Sequence, residues 1–287
     1  MIILENDIVV AKIHPLGAEL QSFFNKETGL EYMWNGNAEF WPRHSPVLFP
    51  IVGGLLDDSF IYKNQEYTLA KHGFARDMDF KVVNATQTEA SLTLESSEET
   101  LQSYPFNFVL KLTYKLDGSR VLISYSVENT SKDTMYFSIG SHPAFNVPLV
   151  ENTTYEDYYL EFNEKETSER HNLNGNILDG TVPYLDNQNT LPLKASLFYN
   201  DAVIFDDLKS TRISVKSNKT PHGLHYNFDG FPYMGIWASK DAPFVCIEPW
   251  CGLPDLANHT KKIEDKKGII SLDSSATWEK TWSLDSF

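Results

Sequence analysis

The sequence predicts an all-β fold, a large antiparallel sandwich or barrel, on three observations. Apolar and polar residues alternate at a period of two along many short stretches. Asn-Gly and Asp-Gly pairs punctuate those stretches, the strongest short-range signal for hairpin turns. Helical periodicity is scarce, and no strand–helix–strand alternation suggests a parallel sheet.

Taken in order, Ile8–Ile13 is the first alternating run, and Asn35-Gly36 marks a turn after it. Asp79–Asn84 and Ala90–Glu95 follow as strands. Ser97–Ser103 offers one or two helical turns with Ser97 as cap. The clearest strand carries Phe108, Leu110, Leu112, Tyr114 and Leu116 on one parity, with Asn107, Lys111, Thr113 and Lys115 on the other. Asp117-Gly118 turns it into a second strand, where Val121, Ile123, Tyr125 and Val127 oppose Ser124, Ser126 and Glu128. Met135–Gly140 and Tyr158–Phe162 continue the series. Glu164–Pro192, rich in Asn, Gly and Asp, reads as long surface loops punctuated by Asn174-Gly175 and Asp179-Gly180. Val203–Phe205, Arg212–Lys216, Met234–Ala238, Phe244–Ile247 and Thr277–Leu284 complete the strands. Asp229-Gly230 separates two of them, and Pro254–Asn258 is a second short helix candidate. No repeat, low-complexity segment or linker divides the chain, so residues 1–287 are expected to form a single domain.

Charge narrows the function. The 287 residues hold 24 Lys and Arg against 39 Asp and Glu, a formal net charge of −15. Nucleic acid and anionic membrane surfaces are disfavoured partners, because both are bound through cationic neutralisation of phosphates. The first residues lack a signal-peptide layout, and no apolar run approaches the ~20 residues of a membrane span. A cytoplasmic location is therefore expected, with Cys246 and Cys251 as free thiols.

Five segments gather ionisable residues beside aromatics, prolines and glycines: Phe40–Gly54, Lys71–Arg76, Gly140–Pro148, Asp201–Phe205 and Cys246–Gly252. Glu248 is the sharpest single signal. It follows the apolar run Phe244-Val245-Cys246-Ile247 and enters Pro249-Trp250, surroundings that raise a carboxylate toward the pKa of a useful base. From local sequence alone, Glu248 could equally pair with an arginine, His72 and Arg76 could fix a turn, and Arg43 could meet an acid. His222 and His225 are three apart in a β-rich context and would face opposite sides of a strand. Cys246 and Cys251 lack a second thiolate pair, so no metal is expected. No glycine-rich phosphate loop opens a helix, and no Gly-x-Ser-x-Gly elbow is present.

Taken together, these segments resemble the aldose 1-epimerase (galactose mutarotase-like) family, and especially its LacX-type branch. The resemblance is carried by Trp41-Pro42-Arg43 with Pro46–Gly53, His72-Gly73-Phe74-Ala75-Arg76, Ser141-His142-Pro143-Ala144-Phe145-Asn146 and Pro243–Trp250, and it covers essentially the whole chain. It implies an antiparallel β-super-sandwich whose concave face binds a pyranose, with no cofactor. By the same resemblance, His142 donates a proton to the ring oxygen and Glu248 takes one from the anomeric hydroxyl. His72 corresponds to the sugar-binding histidine and Arg43 to the family's arginine. Asp201 is the best match for a substrate-holding aspartate, with Asp206 and Asp207 one short strand away. Arg76 resembles the arginine of the hexose-6-phosphate mutarotase branch, although the Trp-Asn-Pro segment usual there is replaced by Gly235-Ile236-Trp237. The implied partner is a hexose or its phosphate, and edge strands leave monomer or homodimer open.

Mutarotation suits these residue types. The hemiacetal opens as O1 loses a proton and O5 gains one, the C1–C2 bond rotates, and the ring recloses on the other face. A base and an acid acting together each contribute typically ~10²–10⁴-fold. For this, Glu248 must be ionised and His142 protonated in the same complex, the carboxylate raising the histidine and the imidazolium keeping the glutamate ionised. Phe74, Phe145 and Trp250 are candidate platforms for the sugar's C–H face, with core packing as their alternative role.

Overall fold

The computed structural model describes residues 1–287. The hairpin expected at Asp117-Gly118 forms as Phe108–Asp117 against Arg120–Asn129, in register from Phe108↔Asn129 to Asp117↔Arg120. Burial alternates along Phe108–Asp117 with Phe108, Leu110, Leu112, Tyr114 and Leu116 inside, as the period of two requires. This hairpin is part of a 15-stranded antiparallel sheet. On one side the sheet extends through Glu89–Glu95 to Lys81–Ala85. On the other it runs through Thr277–Ser286, Leu224–Asn227 and Arg212–Ser217 to the long strand Tyr158–Asn174.

That long strand turns the sheet. Its first residues pair with Arg212–Ser217, from Tyr158↔Ser217 to Phe162↔Ile213, whereas His171 pairs with Ile204. From Val203–Phe205 the sheet passes through Tyr233–Trp237 and Phe244–Cys251 to Ile139–Ser141 and Val47–Leu48. A four-stranded sheet of Ile2–Glu5, Val9–His14, Glu19–Asn25 and Leu30–Glu31 packs its inner face on the same core. Leu4, Val9, Ile13 and Phe23 of the small sheet join Leu112, Tyr125 and Ile247 of the large one in a single buried cluster. The helix Glu98–Ser103 is capped as its sequence indicates: Thr100 N donates to Ser97 Oγ at 3.3 Å and Ser97 N to Thr100 Oγ1 at 2.8 Å.

Three local expectations are corrected. Glu164–Pro192 is no set of loops but most of a long hairpin, Tyr158–Asn174 against Ile177–Pro192. Most side chains of Ile177–Pro192 are exposed or half-buried, and the inward positions Glu166, Ser168 and His171 of the facing strand are polar, so the hydrophobic alternation that marks a half-buried strand is missing, and bulges break what remains. Asp179-Gly180 forms one of those bulges rather than a turn, lying between the pairs His171↔Thr181 and Leu173↔Leu178. Pro254–Asn258 is not helical: Asp255 is buried, accepts Lys266 Nζ at 2.6 Å and Leu56 N at 2.9 Å, and Leu256 bridges Leu178. Those tertiary bonds replace the local ones a helix would make. Met135–Gly140 divides into Met135–Phe137 and Ile139–Ser141, because Ser138 N donates out of the sheet to Pro50 O at 2.8 Å. No helix is long and apolar enough to cross a membrane.

Candidate active site

The strand Phe244–Cys251 is buried along its full length and pairs on both edges. Parity places Cys246, Glu248 and Trp250 on one face. The strand does not end before Glu248, as the apolar run alone suggested, but continues through Cys251. One neighbouring edge is built from two short strands, Ile139–Ser141 and Ala144–Asn146, with His142 in the link between them. The pairs Gly140↔Trp250 and Ala144↔Cys246 leave His142 directly across from Glu248. The link is pinned at both ends, His142 N to Pro46 O at 3.1 Å and Ala144 N to His44 O at 2.8 Å. His142 Nε2 and Glu248 Oε2 stand 3.3 Å apart as a result.

Glycine makes the room this face needs. A Cβ at Gly140 or at Gly235, one on each flanking strand, would lie 2.5 Å from the Trp250 indole. The Gly235-Ile236-Trp237 segment thus has a local packing reason, since Gly235 opens the space that Trp250 fills.

Aromatic rings enclose His142. Trp41 stacks on it at 4.8 Å and 25°, while Trp237 and His72 approach edge-on at 5.6 and 5.8 Å. The Trp41 segment is held from below, with Trp34 Nε1 donating to Trp41 O at 2.9 Å. Glu19 accepts His44 N at 2.8 Å and Ser45 N at 3.1 Å. His72 has a left-handed backbone, φ 69°, in a turn that docks on Phe49 through Gly73. Its Nδ1 accepts the Gly53 amide at 3.1 Å, so a neutral His72 carries its proton on Nε2. Burial and the nearby His142 keep His72 neutral, well below the usual histidine range.

Burial also dominates the central pair. It pulls the His142 imidazole down to about 3, helped by the charges of Arg76, Lys71 and Arg43. It pushes the Glu248 carboxyl well above the usual carboxylate range, against the opposing pull of Lys71. The expected upward pull of the carboxylate on His142 is outweighed by burial, which in the free protein favours a neutral imidazole beside a neutral carboxylic acid. This arrangement and the imidazolium–carboxylate one hold the same single proton; dehydration of both groups favours the uncharged placement.

Both residues face a cavity of about 470 Å³ that is open to solvent and is also lined by Trp41, His72, Trp237 and Trp250. Arg76 and Asp201 lie on its wall. Asp206 and Asp207 do not: Asp206 meets His171 at 3.0 Å and Lys267 at 2.6 Å, and Asp207 accepts the Ser168 hydroxyl. Arg43 is absent from the wall and pairs with Asp77 at 2.7 Å, the acid-pairing alternative of its segment. Asp77 also stands 3.7 Å from Arg76 Nε, and Arg76 donates to Lys71 O at 2.9 Å. Among the aromatic candidates, Trp250 lines the cavity while Phe145 and Phe74 pack in the core.

Lys71, which opens the segment Lys71–Arg76, lies on the wall as well. The sequence pattern did not mark Lys240 or the hairpin residues Leu173 and Asn176 as parts of it, and the hairpin residues come from a segment with no periodicity. For metal-ligating capacity, the only group of three or more suitable side chains is His142, Cys246 and Glu248, whose donor atoms lie within 4.8 Å of one another.

Residues 1–267 match the family described as Aldose 1-epimerase. The chain is 35% identical to the plasmid-encoded protein LacX of Lactococcus lactis subsp. lactis, over 98% of this chain and 97% of that protein. The crystal structure of a galactose mutarotase related enzyme from Lactobacillus acidophilus superposes with a TM-score of 0.95 at 34% identity, covering 99% and 96% of the two chains. A galactose mutarotase-like protein from Lactobacillus casei ATCC 334 superposes with a TM-score of 0.93 at 32% identity over 100% of both.

Proposed function

The chain belongs to the aldose 1-epimerase family, and from that membership we propose that it interconverts the α and β anomers of a hexose or hexose derivative by acid–base ring opening. The observation that carries this proposal is the 3.3 Å contact between His142 and Glu248, two oppositely tuned groups on the floor of a sugar-sized cavity.

A pyranose presents O1 and O5 on the same carbon, so one pair of adjacent groups can serve both. Entry of the sugar gives the buried carboxylate a hydroxyl donor, which favours its ionised form and moves the shared proton to His142. Glu248 then takes the O1 proton while His142 gives its own to O5, and the C5–O5–C1 ring opens to the aldehyde. The pair is left as neutral imidazole and carboxylic acid, the arrangement burial already favours. Rotation about C1–C2 exposes the other carbonyl face, and reclosure runs the two transfers backwards. Every proton moves between these groups and the sugar, so the step needs no cofactor. His72 Nε2–H is a donor for a sugar hydroxyl, Arg76 a second, and Asp201 an acceptor. Trp41 fixes the plane of the His142 ring, and Trp250 offers a flat apolar face.

Anomer exchange of α-glucose and α-galactose, followed by polarimetry or NMR, tests the assignment. Glu248→Gln and His142→Asn are each expected to slow exchange by ~10²–10⁴-fold. Full activity in both variants would overturn the roles, and saturable sugar binding by the wild type without exchange would overturn catalysis itself.

A second reading concerns the substrate's charge. The cavity wall carries Lys71, Arg76 and Lys240 against Asp201, with Glu248 held uncharged. Arg76 meets Asp77, but Lys71 makes no ion pair. This excess of cations supports a sugar bearing an anionic group such as phosphate.

A further inference from the structure

Cys246 lies beside the acid–base pair and has no part in the chemistry proposed above. It precedes Glu248 by two residues on the same strand face, and its Sγ, a His142 ring nitrogen and a Glu248 carboxylate oxygen lie within 4.8 Å of one another. The three residues are 0%, 8% and 2% exposed. His142 Nδ1 is buried without a hydrogen-bond partner, and the Glu248 carboxylate stands 3.3 Å from His142 Nε2. His142 and Glu248 front the open cavity, while Cys246 stands behind them.

We propose that His142, Cys246 and Glu248 form a binding site for a soft divalent cation, Zn²⁺ foremost, whose occupancy blocks the sugar site. A tetrahedral zinc with bonds of ~2.0–2.3 Å holds its ligand atoms roughly 3.3–3.8 Å apart. The imidazole–carboxylate pair already has that spacing, and the thiol lies within 4.8 Å of both, so it must close in by about 1 Å on metal binding. One thiolate, one carboxylate and a neutral imidazole balance a divalent charge, so the occupied cluster is electrically neutral in its buried setting. Binding releases two protons, one from the thiol and the one the pair shares. Three protein ligands leave a fourth position toward the cavity for water or a sugar hydroxyl. The sulfur donor selects zinc or cobalt over magnesium or calcium. A bound cation occupies the Glu248 oxygen that takes the O1 proton and the His142 nitrogen that carries the proton for O5, so it inhibits in competition with substrate. The inhibitory consequence rests on the mutarotase proposal; the binding itself does not.

Titration of the reduced, full-length protein with Co²⁺ is the test. A thiolate-to-cobalt charge-transfer band at one equivalent is expected, abolished by Cys246→Ala and retained by Cys251→Ala, since Cys251 lies on the opposite face of the strand. Mg²⁺ is expected neither to displace the cobalt nor to inhibit. In parallel, Zn²⁺ is expected to inhibit anomer exchange competitively. Cys246→Ala should raise the inhibition constant at least ~10–100-fold, measured against that variant's own metal-free rate, because even an outer-shell partner is worth that much. No band in the wild type overturns the site, as does a band that survives Cys246→Ala. If Cys246→Ala does not fold, Cys246→Ser and suppression of the wild-type band by saturating sugar serve in its place. A band in a protein that exchanges no anomers would leave the site standing and remove the mutarotase proposal instead.

Discussion

One proton divided between Glu248 and His142 sets the pH range in which the site can work. Burial lowers His142 to about 3 and raises Glu248 well above its ordinary value, so the pair holds a single proton across a wide interval. Below that interval the pair gains a second proton, and above it the last one leaves. The pH profile of kcat/KM is therefore expected to be flat through neutrality, with an acid limb well below the ~6.5 of an ordinary histidine. A limb at that ordinary value would show that His142 is not dehydrated in the free protein. The raised carboxyl also bears on stability. Unfolded Glu248 ionises near the ordinary carboxylate value of about 4.5 while the folded group keeps its proton, so stability from this residue is lost as pH rises toward the folded value. Glu248→Gln removes that loss. Its stability relative to wild type is expected to climb with pH by up to about 1.4 kcal/mol per unit, read as a widening difference in melting temperature in thermal scans from pH 6 to 9.

Among the elements, the strand Phe244–Cys251 does most to build the site, and its neighbours are shaped around it. Gly140 and Gly235 flank Trp250, and an added Cβ at either would meet the indole at 2.5 Å. Gly235→Ala is expected to tilt Trp250 into the cavity and to cost ~1–3 kcal/mol by overpacking. KM should rise more than kcat falls, since the proton-carrying pair is not displaced directly. Urea unfolding alongside steady-state kinetics checks both, and an unchanged midpoint with unchanged KM would show that the ring has room to spare. The hairpin Tyr158–Asn174 and Ile177–Pro192 is the element least visible in advance. Its stretch Asn163–Glu169 reads as polar coil, yet Glu166 is buried and accepts Ser210 N at 2.7 Å and Lys209 N at 3.1 Å. Backbone pairing and a buried carboxylate hold this ribbon, and neither leaves a hydrophobic period in the sequence.

For the whole molecule, the distribution of charge matters more than its sum. The chain carries −15, yet Lys71, Arg76 and Lys240 gather at the cavity, with Arg43 behind them. A hexose 6-phosphate is accordingly expected to show a higher kcat/KM than the free hexose, and the advantage should shrink with added salt. At 0.15 M the screening length is ~8 Å, so a phosphate held at the cavity mouth feels it while a neutral sugar does not. Anomer-exchange assays of glucose and glucose 6-phosphate at two ionic strengths decide this, and equal efficiency at both would discard the anionic substrate.

The strands with one wet and one dry face were readable from the sequence because burial repeats every second residue, as in Phe108–Asp117. The segments that carry His72, Arg76, His142, Asp201 and Glu248 were readable because ionisable groups beside apolar runs and prolines are locally unusual. Tertiary structure alone decided that residue 142 lies across from residue 248, through the registers Gly140↔Trp250 and Ala144↔Cys246. It decided that Asp201 rather than Asp206 faces the cavity, and that Arg43 is occupied by Asp77. It also turned the expected rise of the His142 pKa into a fall, because burial outweighs the neighbouring carboxylate. Period and composition are properties of neighbours in the chain, whereas register, ion pairing and dehydration arise only when distant strands close around a site.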